Sequence, residues 1–131
     1  MKHITTEWLK SAKSDLDTIN EILSNEQLTQ IVAFHSQQCI EKTFKAVIEE
    51  FELSSIKTHD LITLKNTISS VYNESFDDDL LSLLNKLYID SRYPGELGLL
   101  PDGKPGIDDV VTFYTIAKKI YENAKSFLER V

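Results

Sequence analysis

Between Phe34 and Ala46 the chain reads Phe34-His35-Ser36-Gln37-Gln38, then Glu41-Lys42, then Lys45-Ala46. At about 100° per residue, His35, Gln38, Lys42, Lys45 and Glu49 share one side of a helix, and Ala33, Ile40, Phe44, Val47 and Phe51 share the other. An imidazole, an amide and an ammonium on one strip can hold an anion, pair with a carboxylate of a neighbouring helix, or satisfy buried polar groups. Lys42 with Gln38 can grip a phosphate, or Lys42 can pair with Asp15. His59 and Asp60 stand side by side, an imidazole next to a carboxylate, at a place that equally suits the capping of a helix. Arg92 and Tyr93 form a third candidate pair. The guanidinium can bind an anion, fasten carbonyls left open ahead of Pro94, or pair with Asp15 or Asp90. Tyr88 and Tyr93 can stack a base or anchor the core.

Several chemistries are disfavoured at once. The chain has three histidines, His3, His35 and His59, with neither ligand spacing nor a Glu-x-x-His pair, so no metal is expected. The glycines lie in a proline-broken stretch and not between a strand and a helix, which excludes an independent nucleotidyltransferase or kinase. No cofactor is expected. Fourteen Lys and Arg against 21 Asp and Glu leave a net charge of -7, so non-specific DNA binding is not expected and any nucleic-acid contact must come from a local cleft. The lone Cys39 reads as buried packing in a reducing compartment. No stretch has the apolar length of a membrane span, and the expectation is a cytoplasmic protein.

The elements that must position these groups are helices. A length of 131 residues suits a single domain over 1–131 with its own core. Thr5 or Thr6 caps a first helix carrying Leu9, Ala12, Leu16, Ile19 and Leu23, with Trp8 and Asp15 a heptad apart at the border of that stripe. Ser24 with Gln27 reads as a capping box, and a link that short forces an antiparallel hairpin into a helix over 28–51. Residues 52–57 form a loop, and Thr58 or Asp60 caps a third helix with Leu61, Leu64, Ile68 and Val71. A fourth follows the carboxylates of Asp77, Asp78 and Asp79; leucines on nearly every side predict deep burial, and Pro94 ends it around Ser91, Arg92 and Tyr93. All three prolines and all four glycines fall within 94–106, a long connection expected to cover a cleft or an interface. From Asp108 or Asp109 a last helix runs nearly to Val131. The fold class is all-α, an antiparallel up-and-down bundle of about five helices.

Trp8 with Ala12, Asp15 and Leu16, then the Phe34 to Gln38 run with Glu41-Lys42 and Lys45-Ala46, then His59-Asp60-Leu61, then Tyr88-Ile89-Asp90-Ser91-Arg92-Tyr93-Pro94 together resemble the HEPN family, the higher eukaryote and prokaryote nucleotide-binding domain. Four ordered pieces span most of the chain. The resemblance implies a helical bundle, commonly a homodimer, often paired with a minimal nucleotidyltransferase in a toxin–antitoxin-like arrangement. Some relatives resemble metal-independent RNases with an Arg and a His four to six residues apart; others keep a nucleotide- or partner-binding role.

Arg92 stands where that Arg is expected, yet no His follows it. Metal-independent RNA cleavage needs a group to take the 2′-hydroxyl proton, and an Arg does not deprotonate in proteins. His35 or His59 replaces the missing group only if the fold brings it to Arg92. The expectation is therefore a nucleotide- or partner-binding module whose cleft draws on Arg92, Tyr93, Lys42, Gln38, His35, Asp15, His59 and Asp60. The alternatives are an RNase toxin using Arg92 and a purely structural dimerisation domain.

Overall fold

A computed structural model describes residues 1–54, 57–90 and 104–131, with Asp90 described by its backbone alone. Five α-helices appear there, α1 (His3–Ile22), α2 (Thr29–Phe51), α3 (Leu61–Ile68), α4 (Asp78–Asp90) and α5 (Ile107–Arg130), with one 3₁₀ turn at Glu26–Leu28. Among the described residues there is no strand, so the all-α helical bundle stands as expected.

Side-chain pairings give the direction of each helix. Thr5 meets Glu50 and Asp15 meets His35, which makes α1 and α2 antiparallel. Phe34 against Tyr88 and Phe44 against Phe76 set the α4 segment antiparallel to α2. Asp60 with Asn85 and Lys65 with Asp78 do the same for α3 and α4. Cys39 beside Ala117 and Phe51 on Phe127 show that α5 runs parallel to α2. The helix α2 is thus the common neighbour of all the others. Its Val32, Ile40, Phe44 and Val47 have no exposed surface, and burying an apolar side chain of that size contributes about 1.5–3 kcal/mol.

Several boundaries differ from the sequence expectation, each for a physical reason. Neither Thr5 nor Thr6 caps α1, which begins at His3 with Lys2 as N-cap. Glu50 of α2 accepts from the Lys2 N–H and the Thr5 hydroxyl, both at 2.8 Å, so the cap comes from a neighbouring helix. The Ser24 and Gln27 box does not form; Asn25 Oδ1 instead accepts from the Gln27 N–H at 2.9 Å. The helix α3 stops at Ile68, short of Val71: the Ser69 N–H bonds the Asn66 carbonyl at 3.3 Å, three residues back, in a tightened last turn. Asp109 Oδ2 accepts from the Gly106 N–H at 2.9 Å, which starts α5 at Ile107. Deep burial of α4 is only partial: Leu81, Leu84 and Leu87 are buried, but Leu83 is 39% exposed, since among the described residues α4 packs mainly on α2 and α3. At the end of α2, Glu52 adopts a left-handed conformation, φ 51°, and the Leu53 N–H reaches the Ile48 carbonyl at 3.0 Å, a glycine-type helix stop made without glycine. Arg92, Tyr93 and the connection over 94–103 lie outside the described residues.

Candidate functional site

The polar strip of α2 meets two carboxylates that are almost wholly buried. Asp15 of α1 is 5% exposed. Its Oδ1 lies 2.8 Å from His35 Nδ1 and its Oδ2 accepts from Lys42 Nζ at 2.9 Å. Of the two readings open for Lys42, pairing with Asp15 is the one realised. Both oxygens of Asp15 are thereby engaged by α2. A buried carboxylate is tolerated when its oxygens are filled by charged donors, and this cluster ties α1 to α2 midway along the hairpin.

Glu41 makes a second cluster that sequence reasoning overlooked. Its carboxylate is 4% exposed and gathers four neighbours. Lys45 Nζ donates at 2.7 Å, His59 Nδ1 lies at 3.0 and 3.1 Å from the two oxygens, and Gln37 Nε2 and Gln38 Nε2 each donate at 3.3 Å. Gln37, with no exposed surface, also donates to the His59 carbonyl at 2.8 Å and accepts from Gln38 at 2.8 Å. The ammonium of Lys45 lies 5.4 Å from the centroid of the Trp8 ring, a cation–π distance. Gln37, Glu41 and Lys45 are spaced by four, one ridge of a helix; that row was the available signal.

Because a carboxylate accepts and does not donate, the hydrogen between His59 and Glu41 belongs on Nδ1. Nε2 has no partner among the described residues, and the side chain is 61% exposed. His59 borders an open pocket of about 340 Å³ lined by Thr58, Asp60, Asn85, Tyr88 and Ile89 as well. Asp60 caps α3 through Oδ1, accepting from the Ile62 N–H at 2.9 Å. Asn85 of α4 donates to that same oxygen at 3.0 Å and accepts from the Leu61 N–H at 3.0 Å. Tyr88 is packed between Phe34 at 5.4 Å and His59 at 5.5 Å, ring centre to ring centre. It therefore serves as a core anchor whose edge meets the pocket.

The expected cleft thus divides. His35, Lys42 and Asp15 hold α1 to α2, Gln38 bonds within α2 to Gln37 and Glu41, and His59 and Asp60 border the pocket with Asn85 and Ile89, which sequence reasoning did not single out. Arg92 and Tyr93 follow α4 and lie outside the described residues. Burial pushes the Cys39 thiol far up, so it packs and does not react. On the opposite side, a smaller pocket of about 200 Å³ between α1 and α5 is lined by Lys13, Asp17, Tyr114, Lys118 and Tyr121, among others; a hydrogen bond from Lys13 to Asp17 raises the ammonium above its usual range.

A family model of the HEPN domain matches residues 5–131. The chain belongs to the HEPN domain family. A crystal structure of an archaeal HEPN homologue superposes with a TM-score of 0.65 at 22% identity, covering 96% of this chain and 98% of that one. At that identity the likeness speaks for the fold. Comparison with curated proteins gives no match. Of the residues that carried the resemblance to the HEPN family, Trp8, Asp15, His35, Glu41, Lys42, Lys45, His59 and Asp60 belong to the two buried-acid clusters and the α3 cap, while the piece that contains Arg92 runs on past the described residues. Among the described residues no helix is long and apolar enough to cross a membrane.

Proposed function

We propose that this HEPN chain is a non-hydrolytic binding module that takes a nucleotide in the pocket bordered by His59, Asp60, Asn85 and Tyr88, with Arg92 as a further contact, and that it works as a homodimer beside a minimal nucleotidyltransferase in a toxin–antitoxin-like pair. The observation that carries the binding reading is His59. A buried carboxylate orients its ring, its Nε2 is unpartnered among the described residues, and it borders an open pocket whose volume falls in the range of roughly 300–1,000 Å³ usual for small-molecule sites. Self-association and the nucleotidyltransferase partner rest on what HEPN membership implies.

The test is titration of the purified protein with AMP, followed by heteronuclear NMR. Binding is expected to move the resonances of His59 and Ile89, and His59→Ala should weaken it by about 0.5–1.5 kcal/mol, the net range for an ordinary hydrogen bond. Sedimentation at micromolar concentration should return twice the 15.0 kDa chain mass; one chain mass removes the dimer from the proposal.

A second reading, an RNase using Arg92, is favoured by one observation. His59 shares its pocket with Tyr88 and Ile89, the last turn of the helix that leads towards Arg92, so the imidazole missing after Arg92 has a candidate from another part of the chain. Cleavage of RNA in EDTA by the wild-type protein, lost in both Arg92→Ala and His59→Ala, would establish that reading over the first.

A further inference from the structure

Electrostatics restrict what the pocket can receive. Among the described residues that line it there is no Lys or Arg, and Asp60 contributes a carboxylate. The N-terminus of α3, where backbone N–H groups would ordinarily cradle a phosphate, is already filled: the Leu61 N–H goes to Asn85, and those of Ile62 and Thr63 go to Asp60. A phosphate here would meet the Asp60 charge with no backbone donor left at the start of α3. The remaining features suit a neutral heteroaromatic ligand with donor groups. Asp60 Oδ1 is occupied, while Oδ2 has no hydrogen-bond partner among the described residues and can accept. Ile89 is 49% exposed and offers an apolar contact, beside the exposed imidazole of His59.

We propose that the pocket takes the nucleoside end of the nucleotide, with a donor group of the base or sugar on Asp60 Oδ2 and a ring against Ile89 and His59, and that the phosphates stay outside it. This rests on the reading that the pocket binds a nucleotide. His59 Nε2 serves as a hydrogen-bonding group to the nucleoside, oriented by Glu41. The discrimination is repulsive as well as attractive: the same carboxylate that accepts from a base or ribose turns away an anion.

The experiment compares adenosine, AMP and inorganic pyrophosphate as NMR titrants of the full chain, together with Asp60→Asn. Asn keeps a capping oxygen for α3 but turns the unpartnered acceptor into a donor, and a preserved melting temperature verifies the cap. Adenosine and AMP should shift His59 and Ile89 with comparable dissociation constants, pyrophosphate should not, and Asp60→Asn should weaken adenosine on the order of tenfold, as loss of a bond to a charged acceptor implies. Pyrophosphate competing with AMP at these resonances, or tighter AMP binding by Asp60→Asn, would overturn the orientation. AMP binding with adenosine silent also overturns it while leaving the nucleotide reading in place. Silence from both overturns the two together.

Discussion

His59 Nδ1 lies 3.0 Å from Oε1 and 3.1 Å from Oε2 of Glu41, so a residue of the segment before α3 is fastened to the middle of α2. The bond does two things: it holds the chain's return from the end of α2, and it turns the other ring nitrogen of an exposed imidazole away from the carboxylate.

Glu41→Ala should therefore be costly in a way His59→Ala is not. Removing the carboxylate leaves the half-buried Lys45 ammonium without its partner and takes one acceptor from each of the amides of Gln37 and Gln38, a loss of roughly 3–5 kcal/mol for a buried ion pair broken from one side. His59 is 61% exposed, so its removal should cost no more than about 1 kcal/mol. Urea denaturation of the two variants measures the difference; equal costs would contradict the assignment of Glu41 as the hub.

The Asp15 and Lys42 pair should show coupling. Their side chains are 7% and 21% exposed, which puts the pair nearer the buried than the surface limit. A double-mutant cycle with Asp15→Ala and Lys42→Ala should give an interaction of about 1–2 kcal/mol, and a value within error of zero would reduce Lys42 to a solvated side chain.

Glu50 should make stability pH-dependent. Hydrogen bonds from the Lys2 N–H and the Thr5 hydroxyl hold its carboxyl below the usual glutamate range. A folded-state value depressed below the unfolded one contributes stability that is present above the unfolded value, about 4.3, and is lost as pH falls through the folded one. Glu50→Gln should accordingly melt below wild type at pH 7, and the gap should close as pH falls beneath the glutamate range. A gap that stays constant in acid would show that charge plays no part.

Glu52 offers a stabilising substitution. A non-glycine residue at φ 51° carries a left-handed cost of about 1–2 kcal/mol. Glu52→Gly relieves it while giving up the Lys2 contact at 3.4 Å and adding flexibility to the unfolded chain, so a net gain of roughly 0.5 kcal/mol is expected, read as a higher midpoint in urea. A lower midpoint would mean that the Lys2 contact outweighs the strain.

What the sequence by itself determined is whatever depends on near neighbours along the chain. Apolar spacing specified the helices, the tight link after the first of them specified the α1–α2 hairpin, and the α3 cap was narrowed to Thr58 or Asp60, of which Asp60 is realised, its oxygen serving N–H groups two and three residues on. Even the offered pairing of Lys42 with Asp15 was legible, since two helices joined by a short link bring predictable positions together. Tertiary structure alone decided the rest. Glu50 caps α1 from 48 residues away, and a local capping rule cannot see such a partner. Glu41 reads as one charge on a mixed polar strip until the segment before α3 folds back and delivers His59 to it. Burial of Asp15 and Glu41 was equally out of reach, because a carboxylate enters a core only when donors from other helices arrive to fill its oxygens, and their arrival is a property of packing.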